Sequence, residues 1–450
     1  MRIDKISVEN FRLFEKREFS FHPQFNLIVG VNGSGKSSLL RALTISLGSL
    51  VSCLAVDSPV QGWLINDDDI LTKITIHDGE QISADKVTPI ILKILAKSDF
   101  YLHGSLENVL NEYVYWGKKH SSKVNSEKQH STWPFLHGNW PMELHFSAPL
   151  IVLYGCNRLW LPKPNKKLHE NAMTAKYSRR DGYKDWASAQ ADSNQLVEWL
   201  LKQNIIAFQE GKESLGWRVL NKALKNCFES FVKLSFMAKE GDLVVHDIDD
   251  KGNPRRKLFK HMSDGQRCMI GLIGDMVRRA VLLNPQLGDE ILEKTAGVVL
   301  IDELDLHLHP TWQRRIIDDL RNTFPKVQFI CTTHSPFLIQ SLRSENELLA
   351  LGNKKPFEYI NQSLEDIVEN VQGIDLPQKS KRYLDMMATA ENYYTKLHEG
   401  LKSSDIELKS LRNELDELTI PFSDDPAFVA LLKFERESVL AKQGKNNAPN

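Results

Sequence analysis

Gly30-Val-Asn32-Gly33-Ser34-Gly35-Lys36-Ser37-Ser38 is a glycine-rich run that ends in a lysine and two hydroxyls. It meets the GxxxxGK[ST] spacing at every fixed position. Glycines let such a loop curl until its backbone N–H groups converge on phosphate oxygens. Lys36 then supplies a point charge to the β- and γ-phosphates, and Ser37 offers a hydroxyl to Mg²⁺. ATP and Mg²⁺ are the ligands this chemistry calls for. A second cluster, Asp302-Glu303, closes the apolar run Val298-Val-Leu-Ile301. Carboxylates at the carboxyl end of a buried parallel strand fall beside a phosphate loop. There Asp302 suits Mg²⁺, through water, and Glu303 is placed to polarise the attacking water. A third run, His261-Met-Ser263-Asp-Gly265-Gln266-Arg, precedes a helical pattern through Ile270, Ile273 and Met276-Val277. A small hydroxyl residue and free N–H groups at a helix start also suit phosphate.

These residues need elements to hold them. Phe25–Val29 is a short apolar run that stops at Gly30, as a buried strand feeding a glycine loop does. Leu39, Leu40, Leu43 and Leu47 then recur at helical spacing. Val298–Ile301, Val327–Thr332 and Leu150–Tyr154 read as further buried strands. Residues 3–8 and 18–21 read as strands before the loop, and 70–76 and the stretch around Ile82 as strands after it. The pattern at Ile90–Leu110 predicts one helix or two, and Gly117–Thr132 a long loop. Gln195–Gln209 and Leu215–Phe231 read as helices, and Leu234–His246 as a strand. In the tail, Leu401, Leu408 and Leu415 are seven apart, with Leu411 and Leu418 offset by three. That is a short heptad seam, and Gly400 with Ser403-Ser404 allows a helical hairpin.

The chain has 450 residues, 57 Lys+Arg against 58 Asp+Glu, and a net charge of -1. It exceeds one ordinary core of about 100–150 residues, so two or three units are expected. No uncharged apolar run approaches the roughly 20 residues a membrane span requires, and no signal-peptide core opens the chain. Five cysteines, none in a CxxC pair, read as free thiols of a cytoplasmic protein. Balanced charge removes a globally basic surface as an argument for nucleic-acid binding. The best local patch is Lys163, Lys166, Lys167, Lys176, Arg179, Arg180 and Lys184, interleaved with Tyr177, Tyr183 and Trp186. Such a loop could meet DNA or RNA, or be plain solvated surface. His103, His120, His130, His137 and His145 lack metal-ligand spacing.

With the phosphate loop, the acidic strand end and Ser263-Asp-Gly265-Gln266 in one chain, the sequence resembles the ABC-type ATPases, whose signature reads LSGGQ. Met262 and Asp264 depart from that consensus. The resemblance implies an α/β P-loop head in which Ser263 and Gly265 donate to the γ-phosphate of nucleotide bound by a second copy. It implies a D-loop at Leu304–Pro310 and a switch histidine at His334, which would report the γ-phosphate. Val8-Glu-Asn10-Phe11-Arg12 is similar to the RecF/SMC-type branch rather than to transporter cassettes. Tyr154-Gly155-Cys-Asn157-Arg158 takes the place of the Q-loop without its glutamine, and Arg158 has either a contact with nucleotide or the neighbouring head, or a structural role.

Arg179-Arg180-Asp-Gly182-Tyr183, Trp199 and Pro421–Phe428 resemble the ATPase subunit of Septu-type antiphage systems, some of which accompany retrons. That family pairs its ATPase with a separate HNH endonuclease. The resemblance implies a nucleotide-gated scaffold whose partner cuts nucleic acid. The expected organisation is an N-terminal lobe at 1–160, a helical insertion at 161–233, a C-terminal lobe at 234–355 and a helical partner or oligomerisation region at 356–450. The alternatives are a RecF-like DNA-repair clamp and an OLD-like fused nuclease; against the latter, no Glu followed by a DxD constellation follows Pro336.

Overall fold

The computed structural model describes residues 1–54, 65–77, 81–88, 90–102, 105–120, 123–125, 130–131, 147–157, 168–188, 193–237, 242–249, 251–351, 362–372, 380–398 and 405–422. Arg158, Lys163, Lys166, Lys167, His103, His137, His145, Leu401 and 423–428 lie outside these. The chain divides into two compact units, Met1–Gly373 and Ile374–Asn450. Among the described residues, no helix is long and apolar enough to cross a membrane.

The first unit opens with β1 (Arg2–Phe11), β2 (Phe14–Ser20) and β3 (Phe25–Val29). A hairpin of β4 (Thr72–His77) and β5 (Gln81–Lys86) follows. Next come β6 (Ile90–Leu102), β7 (Ser105–His120), β8 (Lys123–Asn125) and β9 (His130–Ser131). The helix expected at Ile90–Leu110 is therefore two long antiparallel strands, and part of the loop expected at Gly117–Thr132 is strand. The reason is visible in burial. Ile90, Leu92, Ile94 and Ala96 are buried with period two, but Ile91 and Leu95 on the other face are apolar too. An apolar second face hides the alternation from the sequence. β6 pairs with β1, so Ile94 stands opposite Ile6 and Leu92 opposite Val8.

The central sheet is parallel. It takes β10 (Leu150–Tyr154), β14 (Gly297–Ile301), β15 (Val327–Thr332), β3 and β16 (Leu348–Ala350), in that spatial order. Every residue of β3, β14 and β15 is buried. Register brings the carboxyl ends level: Tyr154 faces Ile301, Ile301 faces Cys331, and Thr332 faces Ile28. A third, antiparallel sheet joins β11 (Phe231–Met237), β12 (Asp242–Ile248) and β13 (Pro254–Leu258). The two larger sheets are fastened by Gln328. Its side chain accepts from Ile3 N at 2.7 Å and donates to Ile3 O at 2.8 Å and His22 O at 2.9 Å.

The helix Asp264–Leu283 carries the signature run at its N-terminus and is buried on nearly all sides. Its core contains one carboxylate and two guanidiniums. Arg278 Nη2 lies 2.7 Å from Asp275 Oδ1, and Arg279 Nε lies 2.6 Å from Oδ2. Tyr154 Oη donates to the same Oδ2 at 2.9 Å. Arg279 also donates to the Gly182 and Lys184 carbonyls. Desolvation alone would push the Asp275 carboxyl up, but Arg279 and Arg278 outweigh it and hold it far below the usual carboxylate range.

In the second unit, the helices Lys381–His398 and Ile406–Thr419 form a hairpin. Leu408 and Leu415 are buried with Met386, Ala390, Tyr393 and Leu397, and Leu411 and Leu418 pack against them. The described leucines of the heptad seam thus pack within this unit.

Asp275→Ala strands two buried cations and should cost about 3–5 kcal/mol in chemical denaturation of the full chain. The pH dependence follows from the lowered pKa. This carboxylate's stabilisation is complete above its unfolded value of about 3.9. It is lost as pH falls below that value through the folded one. Acid unfolding of Asp275→Asn should therefore lack that part of the wild-type pH slope.

Candidate nucleotide site

Gly30–Gly35 leaves the end of β3, and the helix Lys36–Leu54 begins at once. Asn32 and Gly33 stand exposed at the loop tip, and Ser38 is buried beneath it. Ser34 N closes a turn onto Val31 O at 3.1 Å. Gly35 has φ 105°, and a Cβ there would lie 2.7 Å from the Phe14 ring. Only glycine meets both conditions. The Phe14 that floors the loop follows Asn10-Phe11-Arg12 in the β1–β2 hairpin. Arg12 is anchored on buried Asp69 at 2.8 Å, and Arg41 from the loop helix reaches the same carboxylate at 3.2 Å. Asp69 was not singled out by the sequence, because nothing in the Asp67-Asp-Asp69 run marks which carboxylate turns inward.

Lys36 Nζ donates to Gly30 O at 2.7 Å and Val31 O at 3.2 Å. Burial lowers its pKa, against the opposing pull of Asp302, Glu303 and Asp305. Ser37 Oγ lies 3.3 Å from Asp302 Oδ2. A hydroxyl and a carboxylate facing each other are hard oxygen donors of the kind Mg²⁺ takes. Ser34 Oγ is buried with no hydrogen-bond partner in the loop's interior. An orphaned donor there fits a phosphate oxygen. The residues present thus suit a nucleotide and its cation.

Asp302 and Glu303 leave β14 beside Tyr154, whose carbonyl accepts Asp302 N–H at 2.8 Å. Glu303 has φ 51°, a left-handed conformation uncommon for a residue with a side chain. The segment after β15 is stitched to the D-loop position. Thr333 Oγ1 donates to Asp305 at 2.5 Å, and His334 N donates to the same oxygen at 3.4 Å. The His334 side chain is exposed. His309 caps its own short helix through Thr311.

The signature residues make different contacts. Ser263 caps the helix Asp264–Leu283, and Gln266 returns a bond to Ser263 N, a capping box. Gly265 lies against the D-loop position: a Cβ there would come 2.4 Å from His307 O. Both departures from the consensus have a place. Met262 is buried, and Asp264 pairs with Arg267. Among the described residues, Ser263 and Gln266 bond each other within the capping box, away from Gly30–Ser38; Ser263 itself is exposed.

The basic loop is corrected in one respect. Tyr183 and Trp186 are 2% and 1% exposed, so neither can stack on a base. Tyr183 Oη donates to Pro149 O at 2.7 Å, and Arg179 Nε donates to Leu283 O at 2.6 Å. These residues pin 178–188 to the end of the signature helix and to β10. Trp199 is likewise core.

A phosphate loop, an acidic strand end and a signature helix on one parallel sheet define the class: the chain is an ATPase with an ABC-type P-loop head. Two family models match it, together covering residues 1–340. "AAA ATPase domain" matches residues 1–148, and "AAA domain, putative AbiEii toxin, Type IV TA system" matches 145–340. More particularly, the chain is related to retron and Septu ATPases. It is 27% identical to the "Retron Vc95 probable ATPase" of Vibrio cholerae over 77% of this chain and 72% of that one. It is 39% identical to the "Septu protein PtuA" of Bacillus mycoides over 80% of this chain but 42% of that one, so it spans less than half of that relative. Among solved structures, an SMC head domain with an extended coiled coil, bound to the C-terminal domain of ScpA and derived from Pyrococcus furiosus, aligns with 76% of the chain at 17% identity, covering 91% of that chain with a TM-score of 0.40.

Gly35→Ala tests the cradle. It should weaken binding of a fluorescent ATP analogue by more than about tenfold, or ~1.4 kcal/mol, without unfolding the chain.

Proposed function

We propose that this chain is the nucleotide-gated scaffold of an antiphage defence complex whose nucleic-acid-cutting subunit is a separate HNH endonuclease. The observation that carries the reading is the split of the site. Loop, lysine and carboxylates converge on one sheet edge, while Ser263 stands exposed at the start of another helix and, among the described residues, bonds its own turn. A second copy would bring its Ser263 and Gly265 to the γ-phosphate, closing ATP between two heads. The relationship to the retron and Septu ATPases supports the defence role and a cytoplasmic location.

In this reading Gly30–Ser38 holds the phosphates and Lys36 neutralises the γ-phosphate. Ser37 and Asp302 hold Mg²⁺, which when bound supplies charge stabilisation to the phosphates. Glu303 orients and polarises the attacking water, and His334 senses the γ-phosphate. Hydrolysis then distinguishes two assembly states, and the partner reads which is populated. The second unit, with its leucine-filled hairpin, is the candidate docking or oligomerisation element.

Glu303→Gln should lower turnover by about 10²–10⁴-fold while ATP binding persists. Lys36→Ala should abolish binding. Native mass of wild type should rise to a dimer or higher with ATP, and Ser263→Arg should block that rise. A Glu303→Gln chain that hydrolyses normally would remove Glu303 from its role. DNA cleavage by the purified chain alone would overturn the scaffold reading; cleavage only with a co-purifying HNH protein is the expected result.

A further inference from the structure

We infer that Thr332 is a positioning residue for ATP hydrolysis, acting through Asp302 and Glu303; this rests on the roles proposed above for those two carboxylates. Thr332 ends β15 and is 0% exposed. Its hydroxyl has one proton and two lone pairs. Oγ1 donates to Asp302 Oδ1 at 2.6 Å and accepts Glu303 N–H at 2.7 Å. An amide N–H can only donate and a carboxylate oxygen only accepts, so the direction of both bonds is settled. The hydroxyl proton must point at the carboxylate.

Two consequences follow for the site. Pinning Oδ1 leaves Oδ2 as the Asp302 oxygen nearer Ser37, at 3.3 Å against 3.5 Å. The carboxylate is thereby turned toward the proposed cation position before any ligand arrives. Catching Glu303 N–H holds the first bond of a residue in the left-handed region. Such a conformation persists only where its surroundings over-determine it. Thr332 O supplies the other clamp, accepting Leu304 N–H at 2.9 Å. Any residue could provide that carbonyl. Only a hydroxyl could provide the first two bonds.

Strand packing does not ask for this hydroxyl. The preceding residues Phe329, Ile330 and Cys331 are buried and apolar or weakly polar. Valine has the same branched shape and would suit the strand as well. A hydroxyl at a fully buried position is favourable only when its partners are present, and here both belong to the acidic strand end. Groups that orient a ligating carboxylate commonly change metal affinity or activity when lost.

The test compares full-length Thr332→Val and Thr332→Ser with wild type. Thr332→Val should lower kcat by about 10- to 100-fold, and Thr332→Ser should recover most of it. KM for ATP should stay within about threefold, since the phosphate loop is untouched. A second readout does not need turnover. Mn²⁺ binding in the presence of a non-hydrolysable ATP analogue, followed by electron paramagnetic resonance, should weaken by about tenfold in Thr332→Val. A merely structural threonine would lower the melting temperature and leave both readouts alone. If the valine variant does not fold, Thr332→Ala takes its place against Thr332→Ser. Turnover and Mn²⁺ affinity within about twofold of wild type in a folded variant overturn the proposal, as does a serine variant as impaired as valine. Asp302→Asn separates the two ideas. If it retains turnover, the reading of the carboxylates fails; if it loses turnover and Thr332→Val does not, only the role of Thr332 fails.

Discussion

A strand buried on both faces can carry no charge along its length, because each charge would be stripped of water without a partner. β3, β14 and β15 are such strands, and their parallel register sets their carboxyl ends side by side. The phosphate loop and the acidic pair therefore begin at the first residues beyond their strands, Gly30 and Asp302. The site is a consequence of where charge is tolerated. The loop helix adds its own preference, since its positive N-terminal end favours an anion at the same edge.

Three of the buried polar groups act as fasteners between elements. Gln328 joins the parallel sheet to β1, Asp69 joins the β1–β2 hairpin to the loop helix, and Asp275 joins the signature helix to β10. Tyr154 makes the last of these a connection between motifs. Its hydroxyl bonds Asp275 in the signature helix, and its carbonyl bonds the N–H of Asp302. Gly265, where a Cβ would come 2.4 Å from His307 O, lies close against the D-loop position as well. Signature and acidic strand end are thus joined within one chain by short, directional contacts.

The places where sequence reading succeeded and failed divide along one line. β3, β14, β15 and β10 were legible because a run apolar on both faces, stopping at glycine or carboxylate, has few other interpretations. Ile90–Leu110 was not legible, because Ile91 and Leu95 fill in the face that would have shown period two. The basic loop failed differently. Its composition suggested a surface, yet Tyr183 and Trp186 are core and Arg179 caps the carbonyl end of a helix. Amphipathic side chains bury their bodies and use their polar tips, so composition alone cannot place them.

What the sequence pointed to by itself was the chemistry: a loop whose spacing suits phosphate, a lysine and a serine beside it, two carboxylates at a strand end. Those follow from residue type and spacing within a few turns of chain, where local backbone geometry suffices. What only the tertiary structure decided was which groups hold that chemistry in place. Thr332 lies 30 residues from Asp302, Asp275 lies 121 from Tyr154, and Asp69 lies 57 from Arg12. Hydrogen bonds across such separations depend on strand order and register, which are set by burial of the whole sheet and leave no mark at either end of the pair.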